Sequence, residues 1–167
     1  MDPRTGNLVR LLQAGPFDEH TLRGVRAALW SLRGHRDLEQ ERDDLVILLD
    51  DFAESATTPA ASAGAYLLAA ELCAQAGMAE ERIERLSLAM DADPKDLETA
   101  RCLRSALGDP QARPRLLALL SVRARALEAD EGASADLVAD AFVQLAAELE
   151  KGGALGDAIK AYDQALE

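Results

Sequence analysis

The sequence predicts an all-α protein made of four consecutive helical hairpins preceded by one short helix. The 167 residues are rich in Ala, Leu, Glu and Arg, all strong helix formers, whereas Val and Ile, which favour strands, are sparse. Apolar residues recur at helical spacing. Two stretches of chain also match each other. Tyr66, Gly77, Ala89 and Met90 reach Phe142, Gly153, Ala165 and Leu166 at an offset of 76, and Leu22, Leu32, Leu45 and Phe52 reach Leu97, Leu107, Leu120 and Leu127 at 75. Each pair agrees in chemical type, so the pattern predicts a duplicated unit.

Residues 1–16 are predicted to hold a short capping helix over 3–14, and residues 17–167 to hold the hairpins, at about 18–56, 58–92, 94–130 and 134–167. In the first hairpin, Leu22, Val25, Leu29 and Leu32 share one face of a helix near 19–33. Leu38, Leu45, Leu48, Leu49 and Phe52 share a face of a second helix near 37–55. Asp18 is a good N-cap, with Phe17 and Leu22 placed as a hydrophobic staple. The second hairpin starts with Thr58 as cap and Pro59 at the first helical position, and it turns near Gly77. Asp93-Pro94 is read as ending the second hairpin and, as cap and proline, starting the third, which turns at Gly108-Asp109-Pro110. Pro114 delays the next helix, because a proline past the first turn would clash with the preceding carbonyl. Ser134 caps the fourth hairpin, which turns at Gly152-Gly153.

Thirty acidic residues against eighteen basic ones give a net charge of −12, which disfavours nucleic acid as a partner. The N-terminus carries early acids and too short an apolar stretch for a signal peptide, and no apolar run approaches the ~18 residues of a membrane span. A cytoplasmic protein without membrane insertion is expected. Cys73 and Cys102 read as small buried hydrophobes rather than a disulfide. His20 and His35 have no partner at metal-ligand spacing, and Asp43, Asp44, Asp50 and Asp51 lack the pattern of a calcium loop and read as a solvated face. With no phosphate loop and no nucleophile elbow, no catalytic residue, cofactor or metal is expected.

The fourth hairpin, AFVQLAAELEKGGALGDAIKAYDQALE, resembles a tetratricopeptide repeat. Phe142, Leu145, Ala146, Leu149, Gly153, Ala158, Tyr162 and Ala165 stand where that family places large, small and turn residues. Small residues let paired helices approach, and large ones fill the space between hairpins. Tyr66, Ala70, Cys73, Gly77, Leu86, Ala89 and Pro94 repeat the pattern less completely, with Arg82 at a position that calls for a small residue. The other two hairpins keep the helix pair without most signature residues. The hairpin starts are spaced by 41, 34 and 42 residues, of which the middle value matches the family. The resemblance implies a right-handed α-solenoid. Because the chain stops without a closing Asp-Pro and a polar capping helix, it also implies an N-terminal piece of a longer array.

The resemblance further implies a concave face lined by the first helix of each hairpin. By register this face presents Arg23, Arg26, Trp30 and Arg33, then Leu67, Glu71 and Gln75, then Arg101 and Ser105, then Val143 and Ala147. Arg26 and Arg101 are related by the 75-residue offset. These arginines suit an acidic or amphipathic partner, or else pair with neighbouring carboxylates. Trp30 suits either inter-helix packing or a partner anchor. Leu67 and Glu71 stand where a chaperone clamp would need Lys and Asn. The expected function is a non-catalytic protein-interaction scaffold, of the kind similar bacterial arrays serve in motility, polarity, secretion and signalling assemblies. The alternative is a peptide-sensing regulatory domain coupled to a downstream effector. Ala158, Ile159, Tyr162 and Leu166 are expected to form an apolar C-terminal face that promotes self-association.

Overall fold

The computed structural model describes residues 3–31 and 41–166, with side chains from Gly6 onward. The described residues form nine α-helices and no strand, in accord with the all-α reading. The helices are α1 (Pro3–Ala14), α2 (Glu19–Ser31), α3 (Arg42–Ser55), α4 (Pro59–Gln75), α5 (Ala79–Ala92), α6 (Leu97–Ala106), α7 (Arg113–Glu128), α8 (Ala135–Lys151) and α9 (Leu155–Gln164). Leu32, Arg33, His35 and Leu38, and with them the inner ends of the first hairpin, lie outside the described residues. The chain divides into two compact units, Met1–Asp93 and Pro94–Glu167.

In the first unit, α1 packs on α2 and α3 and buries Leu8 and Leu12 completely or nearly so. The predicted cap at Asp18 forms: its Oδ1 accepts from the Thr21 amide at 2.8 Å. Phe17 meets Phe52 edge-on at a centroid distance of 5.3 Å, and the Thr57 amide donates to the Phe17 carbonyl at 2.9 Å. These contacts tie the entry of α2 to the exit of α3. Thr58 caps α4 as expected, accepting from the Ala61 amide at 3.2 Å. An N-cap of this kind contributes about 1 kcal/mol.

Helix α4 is the centre of this unit, packing on α2, α3 and α5. Its buried residues, Ala61, Ala63, Ala65, Leu67, Leu68, Ala69, Ala70, Leu72 and Cys73, surround the helix rather than forming one stripe. A helix that is apolar all round is a buried helix. Leu67, expected on the groove face, is therefore buried instead.

In the second unit α8 packs against both α7 and α9, while α6 touches α7 more sparingly. Ser134 caps α8 as read, accepting from the Leu137 amide at 3.3 Å. Asp93 ends α5 as read, but it does not cap the next helix. The cap of α6 is Asp96, which accepts from the amides of Glu98 and Thr99, so the third hairpin opens at Leu97.

Among the described residues α4 packs most closely on α5 and α8 on α9, in the two places where the repeat pattern is fullest. Small residues make this possible: Ala70, Ala89, Ala146 and Ala158 are all buried. Helix α4 maps onto α8 residue for residue at an offset of 76, and the turn glycines Gly77 and Gly153 follow the same offset with φ of 73° and 80°. Only glycine adopts that backbone without strain. The 75-residue offset holds for Leu45 with Leu120 and Phe52 with Leu127, which are all buried. It fails for Leu22 with Leu97: Leu22 is buried in the second turn of α2, whereas Leu97 begins α6 and is 55% exposed.

Candidate functional site

The sequence-predicted surface residues fall into two groups, one in each unit. In the first unit, Arg23, Arg26 and Trp30 share one exposed face of α2, because spacings of three and four return a helix to the same side. Leu22, Val25 and Leu29 occupy the adjoining face and are buried. Trp30 is 67% exposed, so it is not a core residue, and it borders the seam between α2 and α4. Helix α4 brings Glu71 and Gln75 beside Arg26 and Trp30 in a shallow recess floored by Leu68 and Leu72. Its volume is about 20 Å³, room for about one water molecule. This is a seam between two helices rather than a small-molecule pocket.

Gly64 of α4 leaves room for Leu22 of α2. A Cβ there would lie 2.5 Å from Leu22 Cδ2, so the missing side chain is what lets Leu22 seat against α4. Arg33 lies outside the described residues.

In the second unit, Arg101 and Ser105 are exposed on α6, and Val143 is 43% exposed on α8 with Ala147 half-buried. Arg101 is held by Glu98 through Nε at 2.9 Å and through Nη2. That pairing holds the guanidinium above its ordinary pKa. Arg26 and Arg101 are not in equivalent places: Arg26 lies in the third turn of α2 and Arg101 in the second turn of α6.

Sequence reasoning missed the most unusual side chain of the second unit. Arg123, on α7, is fully buried. Its Nε donates to the Pro94 carbonyl at 2.9 Å and its Nη1 to Gln144 Oε1 at 3.4 Å, while Gln144 donates to Asp140 at 2.6 Å. Burial depresses its pKa, opposed by the negative charges of Asp140 and Asp96. Arg123 thereby ties α7 to α8 and to the segment that enters α6. It acts within the fold and offers no charge to the surface.

The acidic cluster of α3 is only partly solvated. Asp43, Asp44 and Asp51 face water, but Asp50 turns toward α5 and pairs with Arg85 at 2.8 Å. Burial raises the Asp50 pKa, with the Arg85 contact working against the shift. Cys73 is buried and its thiol pKa is raised by burial, whereas Cys102 is only half-buried, against the expectation. Among the described residues no group of three His, Cys, Asp or Glu side chains is placed to hold a metal ion. No helix among them is long and apolar enough to cross a membrane.

At the end of the second unit Leu155, Ile159, Tyr162 and Leu166 are exposed. Ala158, expected on that face, is buried, because it lies on the side of α9 that packs against α8. Comparison of the chain with protein-family models and with curated proteins gives no match.

Proposed function

We propose that this chain is a non-catalytic interaction scaffold, a tetratricopeptide-like array that binds a partner protein or peptide in the cytoplasm. The observation that carries the reading is Trp30. An indole 67% in water, flanked by Arg26 and by Glu71 and Gln75 of the neighbouring helix, combines the two residue types that dominate binding hot spots. The exposed two thirds of this side chain add nothing to stability, whereas a partner would bury them. The recess beneath it is too small for a metabolite, which favours a protein surface over a small ligand. The exposed apolar residues of α9 supply a second contact, through which copies of the chain associate at high concentration.

The experiment is site-specific photocrosslinking in cells of the source organism. A photoreactive residue at position 30 should yield one dominant protein adduct, weakened by Arg26→Glu. The same probe at Glu54, an exposed position on α3, should not. Equal labelling from both positions would sink the assignment of the surface.

A further inference from the structure

We propose that the cleft bounded by the end of α6, the start of α7 and the end of α8 docks an acidic peptide segment of the partner. The proposal rests on the interaction reading above and supplies the chemistry of one contact. The cleft is open and holds about 430 Å³. Arg101, Arg104, Arg113 and Lys151 line it, against a single lining carboxylate, Glu148. A chain of net charge −12 thus gathers four of its eighteen cations around one concavity.

Each cation is anchored from behind. Arg104 Nη2 and Lys151 Nζ both reach Glu148 Oε1, at 3.5 and 2.8 Å. Arg113 Nη1 donates to the Lys151 carbonyl at 3.0 Å, closing the C-terminus of α8, and Glu98 holds Arg101. These jobs employ a fraction of the available donors, since each guanidinium carries five N–H groups. The Arg104 Nε is buried and has no partner among the described residues. Glu148 is itself almost buried, so its charge is spent on orienting two cations rather than repelling a ligand. Leu107 and Leu116, both 2% exposed, form an apolar floor that strengthens polar contacts above it.

The geometry selects the class of anion. Arg104 and Lys151 meet at Glu148, while Arg101 is held by Glu98 and Arg113 by the Lys151 carbonyl, so the cations are fixed at three points around the cleft, and no glycine-rich loop of amides cradles a dense dianion. Carboxylates spaced along a peptide fit that arrangement better than a single phosphate. Ser105, at the rim, adds a neutral hydroxyl.

The test titrates a fluorescein-labelled hexaglutamate peptide into the full chain, with a Ser-Gly peptide of equal length as control and inorganic phosphate as competitor. Amide chemical shifts are followed by NMR. The expected result is saturable binding of hexaglutamate alone, with shifts confined to residues 101–113 and 148–151, weakened ~10-fold or more by Arg101→Gln with Arg104→Gln. No binding, shifts elsewhere, unchanged affinity in the double variant, or full displacement by equimolar phosphate would each overturn it. If the double variant loses its helical signal, Arg101→Gln alone decides, because that side chain is 68% exposed. Failure here with position-30 crosslinking intact removes the cleft only. Loss of that crosslinking with hexaglutamate still bound removes the Trp30 surface only.

Discussion

Replacing Arg123 tests the packing of the second unit at its least ordinary point. In Arg123→Ala the charge-assisted bond to the Pro94 carbonyl is lost, a contribution of about 1.5–3 kcal/mol. The variant also removes two buried methylenes of the stem, at about 0.8 kcal/mol each. Relief works in the opposite direction, because the guanidinium is held in a buried site where its pKa is depressed and its Nη2 has no partner among the described residues. The net expectation is a loss of about 2–4 kcal/mol. For a chain of this size that lowers Tm by roughly 5–15 °C. Arg123→Met keeps most of the volume and has no charge to desolvate, so it should cost less than about 1.5 kcal/mol. Urea unfolding followed by circular dichroism at 222 nm measures both variants. An Ala variant within about 0.5 kcal/mol of the parent would show that the guanidinium is solvated and that α7 is not tied to α8 in this way. Equal losses in Ala and Met would show that the stem methylenes contribute nothing, against the packing magnitude above.

Glycine substitutions should divide by backbone conformation. Gly77→Ala and Gly153→Ala force an L side chain into positive φ and should each cost about 1 kcal/mol, whereas Gly24→Ala and Gly156→Ala, in helices with room for a methyl group, should each stabilise by roughly 0.5–1 kcal/mol in thermal melts. Acid sensitivity should trace to Asp18 and Asp130. The Thr21 amide chiefly depresses the first and the Lys95 ammonium the second, so their stabilising effect is complete above the ordinary 3.8 and lost as pH falls through the depressed folded values. Asp18→Asn with Asp130→Asn should therefore flatten stability below pH 3.8 in denaturant titrations; an unchanged slope would count against both contacts. Ile159→Glu, at a position 60% exposed, should abolish concentration-dependent association in sedimentation equilibrium without lowering Tm. A parent chain that stays monomeric at all concentrations would contradict the proposed α9 contact.

How much of this was legible in the sequence depends on how local the determining physics is. The caps at Asp18, Thr58 and Ser134 and the turns at Gly77 and Gly153 are short-range chemistry, and the residues that make them appear where the sequence puts them. The α1 boundaries were equally readable. Asp93 ends the second hairpin as the sequence indicates, but the next cap falls at Asp96, because Asp-Pro and Asp-Leu-Glu-Thr both resemble helix starts and the second accepts the amides. Burial of charge was not legible. Arg113, Arg115, Arg123 and Arg125 share one helix, and only the tertiary position of Gln144 and Pro94 distinguishes Arg123 from its neighbours. Leu67 failed for a related reason: a face assigned by register assumes a free side, and α4 has apolar residues on every side. Arg101 and Arg104 share a face of α6, but only the fold brings Arg113 of α7 and Lys151 of α8 to the same cleft.

The most direct test of the interaction reading is the affinity of the chain for the protein crosslinked from position 30, measured by calorimetry for the parent and for Trp30→Ala, with unfolding measured on both. A hot-spot tryptophan contributes about 2 kcal/mol or more, so affinity should fall roughly 30-fold. Stability should fall by less than about 2 kcal/mol, because only a third of the side chain is covered. Unchanged affinity, or a loss that accompanies unfolding, would contradict the assignment of Trp30 to a binding surface.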